Sequence, residues 1–296
     1  RKYLLASLDQ SLERLGLDYV DIFYHHHMDS STPLEETMGA LATAVQSGKA
    51  LYVGLSNYDG PTLEKATAIL DELHVPFIIN QNRYNIFDRT VERNGLKETA
   101  HRLGKGLITF SPLAQGLLTN RYLNGVPADS RIAHDGRFLQ QSALTPERLQ
   151  QIRDLNDLAA ERGQTLAEMS LAWLLHDGMV ASVLVGASRP QQLIDNIGAL
   201  RNTSFSDDDL RRIDKISLYL GRPRAAVAHE EAGLRTEPQQ MSRARTTSIV
   251  RARLMAYAVV DRRLTPAGRS RRRSGAPDAR WCGTLRLPDH RWSSIR

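Results

Sequence analysis

One cysteine, Cys282, occurs in 296 residues. A disulfide framework and a cysteine-built zinc site are therefore excluded, and a reducing, cytoplasmic setting is expected. No apolar stretch reaches the roughly 18 residues that a membrane-spanning helix needs, so no membrane partner is expected. Neither an initiator methionine nor an apolar signal segment is present. The chain opens Arg1-Lys2-Tyr3, which reads as a sequence missing an N-terminal portion. No Gly-x-Gly-x-x-Gly follows a strand-like run, which weighs against an open dinucleotide-binding sheet. Lysine is missing from one region altogether. Residues 221–296 hold 17 Arg, no Lys and 6 acidic residues, a net +11, while the rest, with 22 basic against 27 acidic residues, carries −5.

The pI of about 9.6 thus describes the tail and not the body. A basic tail can mark a nucleic-acid or membrane-surface contact. This one is rich in Ser, Ala, Gly and Pro, with scattered apolar residues, and only 247–260 is periodic enough for a helix. Arginine without lysine is what out-of-frame or read-through translation of GC-rich DNA gives. The tail is therefore read as non-native sequence or as an ordinary disordered extension, and nucleic acid is not taken as a partner.

The body, residues 1–220, alternates strands with helices. Leu4, Leu5, Leu8, Leu12 and Leu15 recur at helical spacing, with Gly16 as a stop. Strands are expected at 19–24, 50–55, 75–79, 107–110 and 180–185. Helices are expected at 33–46, capped by Thr32, and at 60–73, 90–103, 145–162, 165–175, 189–200 and 206–218. An irregular stretch rich in Gly, Asn, Asp and Arg runs to Leu144. Apolar strands alternating with helices imply a parallel sheet buried on both faces, as a barrel or as an open sheet.

Polar residues recur just past each strand: His26, Ser56-Asn57, Asn80-Gln81, Ser111, then Gly186 and Ser188. In a parallel barrel these ends share the face that carries the active site. Neighbours on an extended segment point to opposite faces, so in His25-His26-His27 the outer two could share a metal. No carboxylate or Cys pair accompanies them. Solvated histidines and a catalytic imidazole at His26 remain the alternatives, and no metal site is assigned.

Five stretches in this order, 12–26 (Leu-Glu-Arg-Leu-Gly-Leu-Asp-Tyr-Val-Asp-Ile-Phe-Tyr-His-His), 48–57 (ending Gly-Leu-Ser-Asn), 80–85 (Asn-Gln-Asn-Arg-Tyr-Asn), 110–118 (Phe-Ser-Pro-Leu-Ala-Gln-Gly-Leu-Leu) and 186–196 (Gly-Ala-Ser-Arg-Pro-Gln-Gln-Leu-Ile-Asp-Asn), resemble the aldo/keto reductase family. The subgroup they most resemble is the bacterial L-glyceraldehyde-3-phosphate reductases, with kinship to potassium-channel β subunits. The resemblance covers about 1–218. It implies an α/β fold, an incomplete (β/α)8 barrel with about five of eight units, and extended NADPH at the strand C-terminal ends. Ser56, Asn57 and Gln81 would hold the nicotinamide carboxamide, and Phe110 would lie against its ring. Ser111, Leu113, Gly116 and Leu117 would surround the pyrophosphate. Ser188 and Arg189 would meet the 2′-phosphate, with Gly186 also at the cofactor, Gln192 and Asn196 one turn apart facing the same ligand, and Asp195 near the adenine.

The implied reaction is hydride transfer from NADPH to a small aldehyde or ketone, such as glyceraldehyde 3-phosphate or methylglyoxal. His26 would orient the carbonyl, while a tyrosine acts as acid beside a lysine–aspartate pair. That trio belongs to the first three units. The chain opens at the third helix, so the resemblance implies that roughly 90–100 residues are absent and that the chain alone is inactive. A non-catalytic NADPH-binding regulatory or channel-associated subunit is the alternative, and a homo-oligomer is a further expectation for the full-length protein.

Overall fold

The computed structural model describes residues 1–128, 130–134, 139–218 and 255–257. Helix α1 (Lys2–Leu15) ends where Gly16 takes a left-handed backbone, φ 65°, that a β-carbon would disfavour. There follow β1 (Val20–His25), α2 (Leu34–Gln46), β2 (Ala50–Ser56), α3 (Gly60–Glu72), β3 (Phe77–Arg83), α4 (Thr90–Arg93), α5 (Leu96–Arg102) and β4 (Gly106–Phe110). A long connection with short 3₁₀ turns and α6 (Arg131–His134) leads to α7 (Pro146–Glu161) and α8 (Leu166–Leu175). The body closes with β5 (Val180–Gly186), α9 (Pro190–Ile197) and α10 (Asp207–Ser217). No helix among the described residues is long and apolar enough to cross a membrane.

The strands are parallel and lie in chain order, with Tyr24 opposite Gly54, Ser56 opposite Gln81, Arg83 opposite Phe110 and Thr109 opposite Val183. The order never reverses, so right-handed crossovers place successive helices on one face. Helices α2, α3, α5 and α8 pack on β1–β5 in this way. A doubly wound sheet would reverse and carry helices on both faces. The architecture is an arc of a (β/α)8 barrel. The core lies between strands and helices, built on Leu41, Val53, Leu55, Leu70, Phe77, Leu107, Trp173, Val183 and their neighbours. On the helix-free face the Tyr24 ring covers Gly54, where a β-carbon would sit 2.4 Å from the ring.

Helix α10 is tied down by charge. Arg89 pairs with Asp214, bonds Glu92 at 2.8 Å and lies over the Trp173 ring. Arg162 meets Asp209 at 2.6 Å, donates to the Ser204 carbonyl and covers Phe205. Gln151 donates to the Ile216 carbonyl at 2.6 Å.

Several local expectations need correction. Thr32 does not cap α2; its hydroxyl donates to Asp29, and Pro33 stands at the cap position. The expected helix at 90–103 is two helices, because Asn94 turns the chain and Gly95 is left-handed at φ 73°. The backbone at this break lies so close to Gly60 that a β-carbon there would meet the Gly95 backbone at 2.7 Å, so position 60 needs glycine. Strand β3 runs on to Arg83, so Asn80 and Gln81 lie inside it. Helix α9 stops at Ile197, and a 3₁₀ turn continues to Arg201. Residues 255–257 form a strand, β6 (Met255–Tyr257), beside β5, where the sequence pattern suggested a helix. The unpaired backbone of β5's outer edge supplies the hydrogen bonds. The expected boundary at 220 and the remaining tail expectations lie outside the described residues.

Candidate functional site

Parallel pairing sets all five strand C-termini on one rim. The structure locks the ends of β1, β2 and β3 together with side chains. The Ser56 hydroxyl donates to the Gln81 carbonyl at 2.8 Å. The Asn57 amide nitrogen donates to the His26 carbonyl at 2.9 Å and to Ser56 Oγ at 3.1 Å. Its backbone N–H is shared between the Gln81 carbonyl and Asn82 Oδ1. Asn82 is held by Asn80 at 2.6 Å and donates to the Tyr58 carbonyl. This network keeps Asn57 in the left-handed region, φ 57°, which Asn tolerates better than most residues. Among the described residues, Asn57 Oδ1 and the Gln81 side-chain amide have no hydrogen-bond partner.

Below this corner, His25 and Tyr58 are buried and share a hydrogen bond of 2.8 Å. Burial, then the neighbouring His27, lowers the His25 pKa. Burial raises that of Tyr58. His26 is exposed, and His27 is turned to the Met28 carbonyl. The two outer histidines thus face different partners. No group of three or more His, Cys, Asp or Glu is arranged for a metal among the described residues.

The loop after β4 is wound tightly. Ser111, Ala114 and Gln115 are left-handed at φ 53°, 47° and 61°, and Gly116 at 98°. Such a run of uncommon conformations persists only where surroundings enforce it. Asn85 donates to the Ser111 carbonyl at 3.0 Å, and Gln115 donates to the Ser111 hydroxyl. The N–H groups of Gly116 and Leu117 close the turn onto Leu113 and Ala114. A phosphate here would compete with those bonds. Leu117 is buried in the core and Leu113 packs against it.

Beyond β5, Gly186, Ser188 and Arg189 are exposed. Gln192 Oε1 accepts from the Ser188 N–H at 2.9 Å, the Ser188 hydroxyl and the Arg189 N–H at 3.2 Å. It therefore caps α9 itself. Asp195 is exposed and accepts from Gln191, whereas Asn196 is buried, so the two do not share a surface.

A pocket of about 380 Å³ opens beside the interlocked corner, lined by Asn57, Asn82, Arg83, Asp88 and Phe110 among others. Asn82 and Arg83 were not singled out from the sequence. Strand alternation was the available signal, since it sets Arg83 on the face of Gln81.

The match to the aldo/keto reductase family model spans residues 1–218. The chain belongs to the aldo/keto reductase family. It is 54% identical over 218 residues to an L-glyceraldehyde 3-phosphate reductase of Escherichia coli O157:H7, covering 73% of this chain and 63% of that one. It is 36% identical over 203 residues to a protein of Oryza sativa subsp. japonica named as a probable voltage-gated potassium channel subunit beta, covering 68% and 62%. The crystal structure of a thermostable aldo-keto reductase, Tm1743, with the inhibitor epalrestat superposes with a TM-score of 0.56 at 30% identity, covering 73% and 66%. The chain thus spans about 63% of the length of the curated reductase it matches.

Aldo/keto reductases use nicotinamide cofactors, and the corner fits one. The open Asn57 Oδ1 and the open Gln81 side-chain amide offer acceptor and donor groups suited to a carboxamide, and the Phe110 ring, which lines the same pocket as Asn57, offers a flat face. A Tyr–Lys–Asp trio does exist in the described residues. Lys97 Nζ donates to the Tyr84 hydroxyl at 3.1 Å and pairs with Asp177 at 2.5 Å. It is not a proton source for the rim. Tyr84 is buried and donates to Glu92, and burial followed by that bond raises its pKa far above the ordinary phenol value.

Proposed function

We propose that this chain carries the cofactor-holding rim of an NADPH-dependent reductase of small aldehydes and ketones, phosphorylated ones included, working in the cytoplasm. The interlocked corner of His26, Ser56, Asn57 and Gln81 carries the reading. NADPH, when bound, supplies the hydride. Ser56, Asn57 and Gln81 orient its carboxamide, and Phe110 packs on the ring. Arg189 and Ser188 hold the 2′-phosphate at the start of α9, where the helix dipole favours an anion. Exposed His26, at the end of β1, donates a hydrogen bond to the substrate carbonyl oxygen and so polarises it. The similarity to the E. coli reductase supports the substrate class.

Fluorescence titration with NADPH, and NADPH oxidation with glyceraldehyde 3-phosphate or methylglyoxal, test the reading. Saturable binding that Asn57→Ala and Gln81→Ala weaken supports it, and absence of binding sinks it. A second reading, a non-catalytic NADPH-binding subunit, is favoured by the likeness to the rice protein. Binding without turnover would select it.

A further inference from the structure

The Arg83 side chain has no role in the corner or in the core. It lines the pocket beside Asn57, Asn82 and Phe110, and it is the only lysine or arginine among the pocket's lining residues. Its side chain is 60% exposed. Its guanidinium stands 5.9 Å from the Phe110 ring centre, and Asp88, 3.9 Å away, is too distant to accept a hydrogen bond. Among the described residues Arg83 donates no hydrogen bond.

The pocket's two carboxylates are each partly engaged. Asp59 Oδ1 accepts from the Thr62 N–H at 2.8 Å, and Asp88 Oδ1 accepts from the Thr90 hydroxyl at 2.7 Å, while Asp88 Oδ2 faces Arg83 in a loose, exposed ion pair at 3.9 Å. Arg83 follows Gln81 by two residues on the same strand face, a rise of about 7 Å. The fork of donors therefore lies one side-chain layer further along the strand than the amide assigned to the cofactor.

We propose that Arg83 reads the anionic end of the substrate, a phosphate monoester carried on a short aldehyde or ketone. The inference rests on the reductase reading and deepens it. A planar guanidinium with open N–H groups over an aromatic ring suits two oxygens of one phosphate. The substrate carbonyl then points down the strand towards His26 and the cofactor ring, and the phosphate points out. A neutral aldehyde lacks the group that this cation would hold.

The test uses the full 296-residue chain, the unreactive analogue sn-glycerol 3-phosphate, inorganic phosphate and glycerol, with NADPH titrated separately. Calorimetry on the NADPH-saturated chain is expected to show saturable binding of glycerol 3-phosphate and none of glycerol. Arg83→Ala should weaken the analogue at least about tenfold, Arg83→Lys less, with NADPH affinity unchanged. Circular dichroism confirms that the variants fold. If NADPH does not bind, the cofactor reading fails, and the Arg83 arm is read on the cofactor-free chain with glycerol 3-phosphate and inorganic phosphate. Equal affinity in wild type and Arg83→Ala, no saturable binding by wild type, or a parallel fall in NADPH affinity each overturns the proposal. The last outcome would give Arg83 to the cofactor's phosphates instead.

Discussion

The two ends of the proposed cofactor site are built differently. At the β1–β3 end, side chains bond across strands: Asn57 reaches His26, and Ser56 reaches Gln81. At the α9 end, the polar groups bond within their own turn, through Gln192. The first end is fixed by the sheet, so the open Asn57 Oδ1 is already aimed. The second is satisfied by itself, and a ligand must compete with Gln192 for the same N–H groups. For the cofactor proposed above, orientation of the ring would fall to the rigid end and phosphate discrimination to the end that rearranges.

Substitution at Asn57 is the strongest way to break this contrast. Asn57→Ala removes the cross-strand bond to His26 and the bond to Ser56, and leaves a β-carbon at φ 57°. A loss of about 2–4 kcal/mol is expected in denaturant unfolding, together with weaker NADPH binding. Asn57→Gly should recover about 1–2 kcal/mol of that without restoring the affinity. If Ala costs under about 0.5 kcal/mol, the corner is not interlocked as described.

At the other end, Arg189→Ala should weaken NADPH about tenfold while leaving NADH nearly unchanged, by fluorescence titration. Equal losses for both would remove the 2′-phosphate from α9. Gln192→Ala sharpens the comparison further. It deletes a cap worth about 1 kcal/mol of stability and frees the Ser188 and Arg189 N–H groups, so NADPH affinity should hold or rise. A large drop would restore Gln192 as a direct ligand.

The smallest effect expected is on pH dependence. The His25 pKa is lowered by burial, so in this region the unfolded chain takes up the proton first as pH falls. Stability is full above the ordinary imidazole value of 6.5 and declines as pH drops below it towards the folded value. Asp177, despite its burial, is lowered by Lys97 and the Met179 N–H, and its contribution is lost only below the ordinary carboxylate value. Unfolding midpoints between pH 7 and 5 should therefore decline less in His25→Gln than in wild type. A difference confined to below pH 4 would assign the sensitivity to carboxylates.

The alternation of elements was legible because apolar runs and stop residues are local signals. Gly16, Pro61 and Thr145 marked their boundaries where the structure has them. The reach of β3 was not legible. Asn80 to Arg83 is polar, and it is strand only because β4 pairs with it residue for residue. Thr32 was misread because Asp29 competes for its hydroxyl, and Asn94-Gly95 was overlooked as a break. At the site, the family motifs marked Asn57 and Gln81. They gave no role to Asn82, whose role depends on β2 lying beside β3, and they could not show that Gln192 caps its own helix. Long-range pairing decided both outcomes, and single-segment patterns carry none of it.

The clamps on α10 set a lower limit on how far the body can be shortened. Asp214 and Asp209 are the carboxylates that meet Arg89 and Arg162, whose side chains are only 15% and 8% exposed. Cutting the chain after Leu218 retains both partners. Cutting before Ser206 would leave Arg89, over Trp173, with Glu92 alone and Arg162, over Phe205, without a carboxylate, so the shorter piece should be markedly less stable than the longer one.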